Sequence, residues 1–155
     1  MGCYAGGMAG KPHDVLITID AAFASVVAEP WLEKIAQRVL ASEAVMPAEL
    51  GILVTDDATL RRLNREYAGE DHATDVLSFS LQEGEEFASP DSVVRLGEVI
   101  ISFPTAERQA RETRRPVDDE VAHLLVHGIL HLLGYDHAEP EEEREMRARE
   151  AVLLT

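Results

Sequence analysis

Residues 123–137, HLLVHGILHLLGYDH, hold four of the six histidines of the chain in otherwise apolar sequence. On an α-helix, residues four apart project from one face and lie about 6 Å apart along the axis. His127 and His131 have this spacing. Gly134 is predicted to end the helix, because a residue without Cβ adopts the left-handed conformation cheaply. The turn that follows brings His137 back toward the pair.

Three neutral imidazoles with a fourth position open to water are typical of catalytic zinc. We therefore predict that His127, His131 and His137 bind one Zn²⁺ ion per chain and act in catalysis. His123 lies on the same face, but about 12 Å along the axis from His131, which is too far to share the ion easily. It is predicted to orient the site or to contact substrate at its rim. The alternative is a buried helix whose histidines have ordinary hydrogen-bond partners.

The same spacing matches the histidines and the glycine of the zinc-protease signature His-Glu-x-x-His-x-x-Gly-x-x-His. Where that signature has its general base, however, this chain has Gly128. A metal ion can still activate water at neutral pH without that glutamate. The pattern therefore favours a hydrolase of another kind, with a base elsewhere in the chain, over a metallopeptidase of zincin type.

Residues 127–137, HGILHLLGYDH, resemble the signature of the YbeY family, bacterial metal-dependent endoribonucleases of ribosomal RNA maturation and ribosome quality control. Two further segments resemble the same family: LNREYAGEDHATDVLSFSL at residues 63–81 and LGEVIIS at residues 96–102. In order and spacing, the likeness covers roughly residues 50–155.

This resemblance implies a single-strand-specific, zinc-dependent endoribonuclease. Its expected role is maturation of the 3′ end of 16S rRNA and quality control of 70S ribosomes, with single-stranded RNA and the ribosomal subunit as partners. Two alternatives stay open. One is a zincin-type metallopeptidase, and the other is a non-catalytic ribosome-assembly factor whose metal is structural.

The basic residues fit this resemblance only in part. Ala68 and Glu70 stand where the family has an arginine and a lysine, so Arg65, one turn earlier, is the predicted substitute for the arginine. Arg108 and Arg111 are the other predicted substrate contacts. The net charge of −15 opposes RNA binding, because the affinity of proteins for nucleic acids comes largely from Lys and Arg on phosphates. We therefore expect weak, salt-sensitive binding, and a solvated face with ion pairs is the alternative for these arginines.

Length and composition predict one domain at residues 14–155, preceded by a disordered leader at residues 1–13. The chain has a single cysteine, no apolar run long enough to span a membrane, and no signal-peptide pattern at its N-terminus. These features predict a cytoplasmic protein without a membrane partner. They leave its oligomeric state open.

Hydrophobic periodicity predicts four strands, at residues 15–20, 50–55, 74–81 and 95–103. Five helices are predicted at residues 30–45, 56–67 and 104–113, before Gly134, and at residues 140–154, the last as a solvated cap. The order predicts an α+β fold: a small mixed four-stranded sheet packed with about five helices, with a zincin-like metal helix at its centre. The family resemblance implies the same architecture.

Overall fold

A computed structural model of the chain describes residues 13–43, 47–68, 74–80, 94–135 and 140–154. Within these ranges, no helix combines the length and the apolar character that crossing a bilayer requires.

The α+β prediction is confirmed, with five helices and four strands. The strands are β1 (Asp14–Ile19), β2 (Ala48–Thr55), β3 (Val76–Ser80) and β4 (Val94–Ser102). The helices are α1 (Glu29–Ser42), α2 (Asp57–Leu63), α3 (Phe103–Thr113), α4 (Val117–Leu132) and α5 (Pro140–Leu154). Short helical turns follow β1 at Ala21–Phe23 and α2 at Asn64–Ala68.

The sheet has the strand order β1-β2-β4-β3 and is mixed. β2 pairs in parallel with both β1 and β4, whereas β3 is an antiparallel edge strand on β4. A parallel pair needs a long crossover, and α1 supplies the one between β1 and β2. Alternate residues of β2, Leu50, Ile52 and Val54, are buried in the core, which gives the sheet one strongly apolar face.

Helix α4 is the centre of the fold. It contacts the two strands β3 and β4 as well as the three helices α1, α3 and α5. Nine of its sixteen residues are buried, so it is apolar over most of its circumference. Only a narrow strip is left for polar side chains, and the histidines lie on it. The predicted central position of the helix that carries these histidines is confirmed.

The predicted boundary between leader and domain stays a prediction, because residues 1–12 lie outside the described part. His13, assigned above to the leader, is 5% exposed. Its Nδ1 accepts a hydrogen bond from the amide of Ala48 at 3.2 Å, and its carbonyl accepts one from Gln37 at 2.8 Å. His13 therefore belongs to the folded domain, because its ring ties the start of β1 to the start of β2.

Candidate metal centre

Local sequence explains why α4 starts and stops where it does. Pro116 precedes the first turn, and Asp118, Asp119 and Glu120 place carboxylates at the positive end of the helix dipole. At the other end Gly134 has φ +106°, a left-handed conformation in which an added Cβ would be strained. The predicted stop at Gly134 is confirmed, and it places His131 in the last turn.

The three described histidines of α4 lie in a row along one face, as predicted from their spacing. The ring centroids of His123 and His127 are 6.2 Å apart, and those of His127 and His131 are 6.5 Å apart with the planes within 4° of parallel. His137, the third predicted ligand, lies outside the described residues. Its role stays a prediction.

The residue that organises this row comes from a different helix. Glu150 on α5 is 8% exposed, and its two carboxylate oxygens accept hydrogen bonds from two imidazoles. The Nδ1–H of His127 donates to Oε2 at 2.6 Å, and the Nε2–H of His123 donates to Oε1 at 3.2 Å. One carboxylate thus holds two of the histidines.

These contacts change the acid–base properties of the cluster. Burial by itself would raise the pKa of Glu150, but the hydrogen bonds and charge of His123 and His127 outweigh it and lower that pKa to about 2. The hydrogen bond to Glu150 raises the pKa of His123 despite the opposing effect of burial. Glu150 is therefore an anion at neutral pH and acts as a hydrogen-bond acceptor, not as a proton donor.

A cleft of about 410 Å³ opens beside this cluster, between α4 and α5. His123, His127 and Glu150 line it together with Glu143, Met146 and Arg147. Arg147 pairs with Glu143 at 2.9 Å on the exposed side of α5. The side chains of His123 and His127 are 36% and 27% exposed. The imidazoles therefore lie at the wall of an open cleft, where solvent and a ligand can reach them.

The donor set fits a transition metal as far as the structure describes it. Because His127 donates through Nδ1, its Nε2 is the nitrogen that would coordinate an ion, and imidazole nitrogen suits zinc. Zn–N distances of about 2.0 Å with tetrahedral angles place two coordinating rings roughly 5 Å apart between centroids. The observed 6.5 Å is wider, so coordination would require His131, exposed in the last turn of α4, to rotate toward His127.

No group of three or more His, Cys, Asp or Glu side chains within the described ranges is placed to hold one ion. The described ranges contain only two of the three predicted ligands, because His137 lies outside them.

The neighbouring residue Gly128 faces the opposite way, toward the sheet. A Cβ added there would lie 2.7 Å from Cγ1 of Val99 and 3.3 Å from Oγ of Ser78, a hydroxyl that donates to the Gly128 carbonyl at 3.0 Å. Any side chain at this position would collide with β4. A glycine at position 128 lacks the general base of the zinc-protease signature, which argues against a peptidase. The structure adds that a glutamate would not fit at this position.

The predicted substrate-binding arginines differ in their surroundings. Arg65 is exposed in the turn Asn64–Ala68, and Arg111 is exposed near the end of α3. Arg108, in contrast, pairs with Asp57 at 3.1 Å and donates to the hydroxyl of Thr105 at 2.8 Å. Part of its positive charge is therefore used to hold α3 against α2, and the roles of all three in substrate binding stay predictions.

Three other polar residues, Asp75, Ser78 and Glu98, lie on or beside the strands β3 and β4 that α4 contacts. Asp75 accepts a hydrogen bond from Gln109 at 3.2 Å, and Ser78 holds the α4 backbone as described above. Glu98 lies next to Val99 on β4 and lies against Gly51, so it projects from the sheet face opposite to α4. That position removes Glu98 from the histidine cluster.

Sequence reasoning missed Glu150, because α5 was interpreted as a solvated cap. A signal was nevertheless present. The buried residues of α5 are Met146, Glu150 and Leu153, which have the spacing of one helix face. A carboxylate in the middle of an apolar stripe is costly to bury unless it is paired. The pattern therefore indicates that Glu150 has partners on a neighbouring element.

Comparison with known proteins gives one consistent answer. The family model for "Endoribonuclease YbeY" matches residues 17–155. An "Endoribonuclease YbeY" of Syntrophotalea carbinolica is 47% identical over 130 residues, covering 83% of this chain and 85% of the relative. One from Dehalococcoides mccartyi strain 195 is 40% identical over 151 residues, covering 91% and 88%.

A solved structure supports the fold. The solution structure of a Thermotoga maritima protein superposes with a TM-score of 0.59 at 23% identity, covering 90% of this chain and 86% of that one. This likeness concerns the fold alone. The family model and the curated relatives, which extend over most of the chain, carry the assignment: this chain belongs to the YbeY endoribonuclease family.

Proposed function

We propose that the chain is a zinc-dependent, single-strand-specific endoribonuclease that matures the 3′ end of 16S rRNA and acts in 70S ribosome quality control. Membership in an endoribonuclease family supports the reaction class. The observation that carries the metal site is the Nδ1 hydrogen bond of His127 to the buried Glu150 at 2.6 Å. It leaves the opposite ring nitrogen as the one directed to an ion, as in other histidine metal sites.

In this proposal His127, His131 and His137 hold one Zn²⁺ ion. When bound, such an ion polarises a phosphoryl oxygen and lowers the pKa of water toward neutrality. Glu150 keeps the His127 ring in place, and His123 lies one turn before it at the wall of the cleft. In this proposal a single RNA strand enters the open cleft between α4 and α5. A single strand needs no separation from a partner strand before it enters.

Phosphate binding is assigned to Arg65, Arg108 and Arg111. Because Arg108 already pairs with Asp57, Arg111 should contribute more to RNA affinity. We expect Arg111→Ala to weaken binding of a single-stranded RNA and to reduce its salt dependence, as loss of one phosphate contact does. Arg108→Ala is the matched control in the same helix and should weaken binding less, which fluorescence anisotropy at several salt concentrations would measure. Equal losses in the two variants would contradict this assignment.

The deciding experiment joins metal content to RNA cleavage. Purified wild type should contain zinc and cleave a single-stranded RNA, but not the same sequence in a duplex, and a chelator should abolish cleavage. His131→Ala should lose both zinc and cleavage while circular dichroism stays native. His13→Asn is the control, since it removes a histidine outside the cluster and its amide oxygen lies where Nδ1 accepts from Ala48.

The same variants separate the proposal from its rivals. A structural metal predicts that His131→Ala unfolds, and a peptidase predicts chelator-sensitive cleavage of a peptide library. The contacts of Gly128 with β4 weigh against the peptidase.

A further inference from the structure

We propose that Glu150 is the positioning residue of the metal centre. Its carboxylate on α5 sets the orientation of the ligand His127, and His123 serves to anchor that carboxylate. This inference rests on the proposed function, since it concerns the same site. It extends the site beyond the histidine row to a helix that the sequence pattern gave no catalytic part.

The first argument is the geometry of the carboxylate. Its two oxygens are divided between two imidazoles, Oε2 with His127 and Oε1 with His123. A bond of 2.6 Å between a ring N–H and an anionic oxygen is short and charge-assisted. With the carboxylate held at both oxygens, the His127 ring has one favoured tautomer and one favoured orientation.

The second argument is burial. The Glu150 side chain is 10% exposed and lies on the apolar stripe of α5 between Met146 and Leu153. An isolated carboxylate in such a place would cost several kcal/mol. Two other carboxylates in the described part are similarly enclosed, Glu120 and Glu43, and each pairs with an arginine, Arg115 and Arg149 respectively. The partners of Glu150 are imidazoles instead, so its charge is directed at the histidine cluster.

The third argument concerns His123. It cannot share an ion easily with His131 because of its distance along the helix. Its Nε2–H is directed to Glu150, which gives it a role that needs no contact with an ion. Removing His123 should therefore act on the site only through Glu150.

A carboxylate that receives the Nδ1–H of a ligand histidine fixes the tautomer and raises the basicity of the coordinating nitrogen, and its loss typically costs about 10- to 100-fold in metal affinity. Because Glu150 belongs to α5, metal binding and the packing of α5 on α4 should stabilise each other. The C-terminal helix is thus part of the site.

The test uses the full chain and zinc alone as the ligand. Glu150→Gln keeps the shape of the side chain but removes its charge. Glu43→Gln is the matched control, because the Glu43 side chain is 11% exposed, close to the 10% of Glu150, and contacts Arg149 and Tyr135 instead of a histidine. We expect Glu150→Gln to lower zinc affinity about 10- to 100-fold, measured by competition with a chromophoric chelator. Glu43→Gln should leave the affinity unchanged.

A second readout does not depend on RNA or on metal. In the metal-free protein, long-range ¹H–¹⁵N NMR should show His127 as the Nδ1–H tautomer in wild type and a redistribution between tautomers in Glu150→Gln. Glu150→Asp, which keeps the charge, should recover more of the zinc affinity than Glu150→Gln does. Circular dichroism of each variant checks the fold.

The outcomes separate this inference from the proposed function. Unchanged zinc affinity together with an unchanged His127 tautomer in Glu150→Gln would overturn the positioning role, even if wild type cleaves RNA. A wild type that binds no zinc would overturn it as well. Lowered zinc affinity in a protein that cleaves no single-stranded RNA would support the positioning role and refute the function.

Discussion

The two faces of α4 place opposite demands on their side chains. One face carries the imidazoles of His123, His127 and His131, and the first two of these line the cleft and are held by a carboxylate of α5. The other face carries Gly128, where even a Cβ would lie 2.7 Å from Val99. Adjacent positions 127 and 128 therefore differ completely in tolerance: one depends on the chemistry of its side chain, and the other on having none.

This difference shows that the site and the stability of the fold depend on different faces of the same helix. The sheet face of α4 packs tightly on β3 and β4, and that packing leaves the histidine face free to be polar without loss of the core. Substitutions on the two faces should therefore fail in different ways. Substitutions on the histidine face should abolish metal binding with the fold intact, and substitutions at Gly128 should lower stability.

The largest effect is expected from His127→Ala. It removes a proposed ligand outright, so zinc affinity should fall by more than the roughly 100-fold upper range for an outer partner. The side chain is 27% exposed and His123 still donates to Glu150, so the metal-free protein should stay folded with only a modest loss in its free energy of unfolding. Isothermal titration with zinc and urea denaturation would measure the two quantities. If His127→Ala unfolded the metal-free chain, the contrast between the faces would be wrong.

The next effect is expected from Gly128→Ala. Overpacking of a core typically costs about 1–3 kcal/mol, and the better helix propensity of alanine returns about 1 kcal/mol. Val99 is fully buried and β-branched, so it cannot move aside cheaply. We expect a net loss of up to about 2 kcal/mol in the free energy of unfolding, with zinc affinity nearly unchanged.

A second variant tests the cause of that loss. Val99→Ala removes the Cγ1 atom that the new methyl group would meet, so Gly128→Ala should cost less in a Val99→Ala background than in wild type. Equal costs in the two backgrounds would show that another contact is responsible.

The smallest effect is expected from His123→Ala. It removes one of the two imidazoles that anchor Glu150, while the hydrogen bond from His127 remains. Zinc affinity should fall by less than in Glu150→Gln, toward the lower end of the roughly 10- to 100-fold range for outer partners. The combination with Glu150→Gln should add little further loss, because both changes act through the same carboxylate. Full additivity of the two losses in chelator competition would show that His123 acts independently of Glu150.

Much of the histidine row was predictable from local rules. Three features depend only on residues of α4 and its ends, and all three were confirmed. They are the spacing of His127 and His131, the stop at Gly134 and the acidic first turn. Local periodicity also predicted the class and number of the elements. Boundaries were less accurate: β3 covers Val76–Ser80, shorter than predicted, and α2 ends at Leu63 before its last turn changes geometry.

Local rules did not predict pairing between distant residues. Arg108 pairs with Asp57, 51 residues earlier, while its role in phosphate binding stays a prediction. Arg149 lies four residues after Glu145 in α5, but it pairs with Glu43 near the end of α1. A charged side chain at helical spacing has a plausible partner in its own helix, and only the packing of helices shows whether a better one is nearer.

The sequence by itself determined the family, the α+β class and the row of imidazoles on α4, since a helix converts spacing along the chain directly into position on one face. The tertiary structure decided that Glu150, 23 residues from His127, holds that ring, and that Val99 excludes any side chain at position 128. Both depend on which elements pack against α4. Which elements pack against α4 depends on the burial of the whole apolar surface, so no single segment of the sequence specifies it.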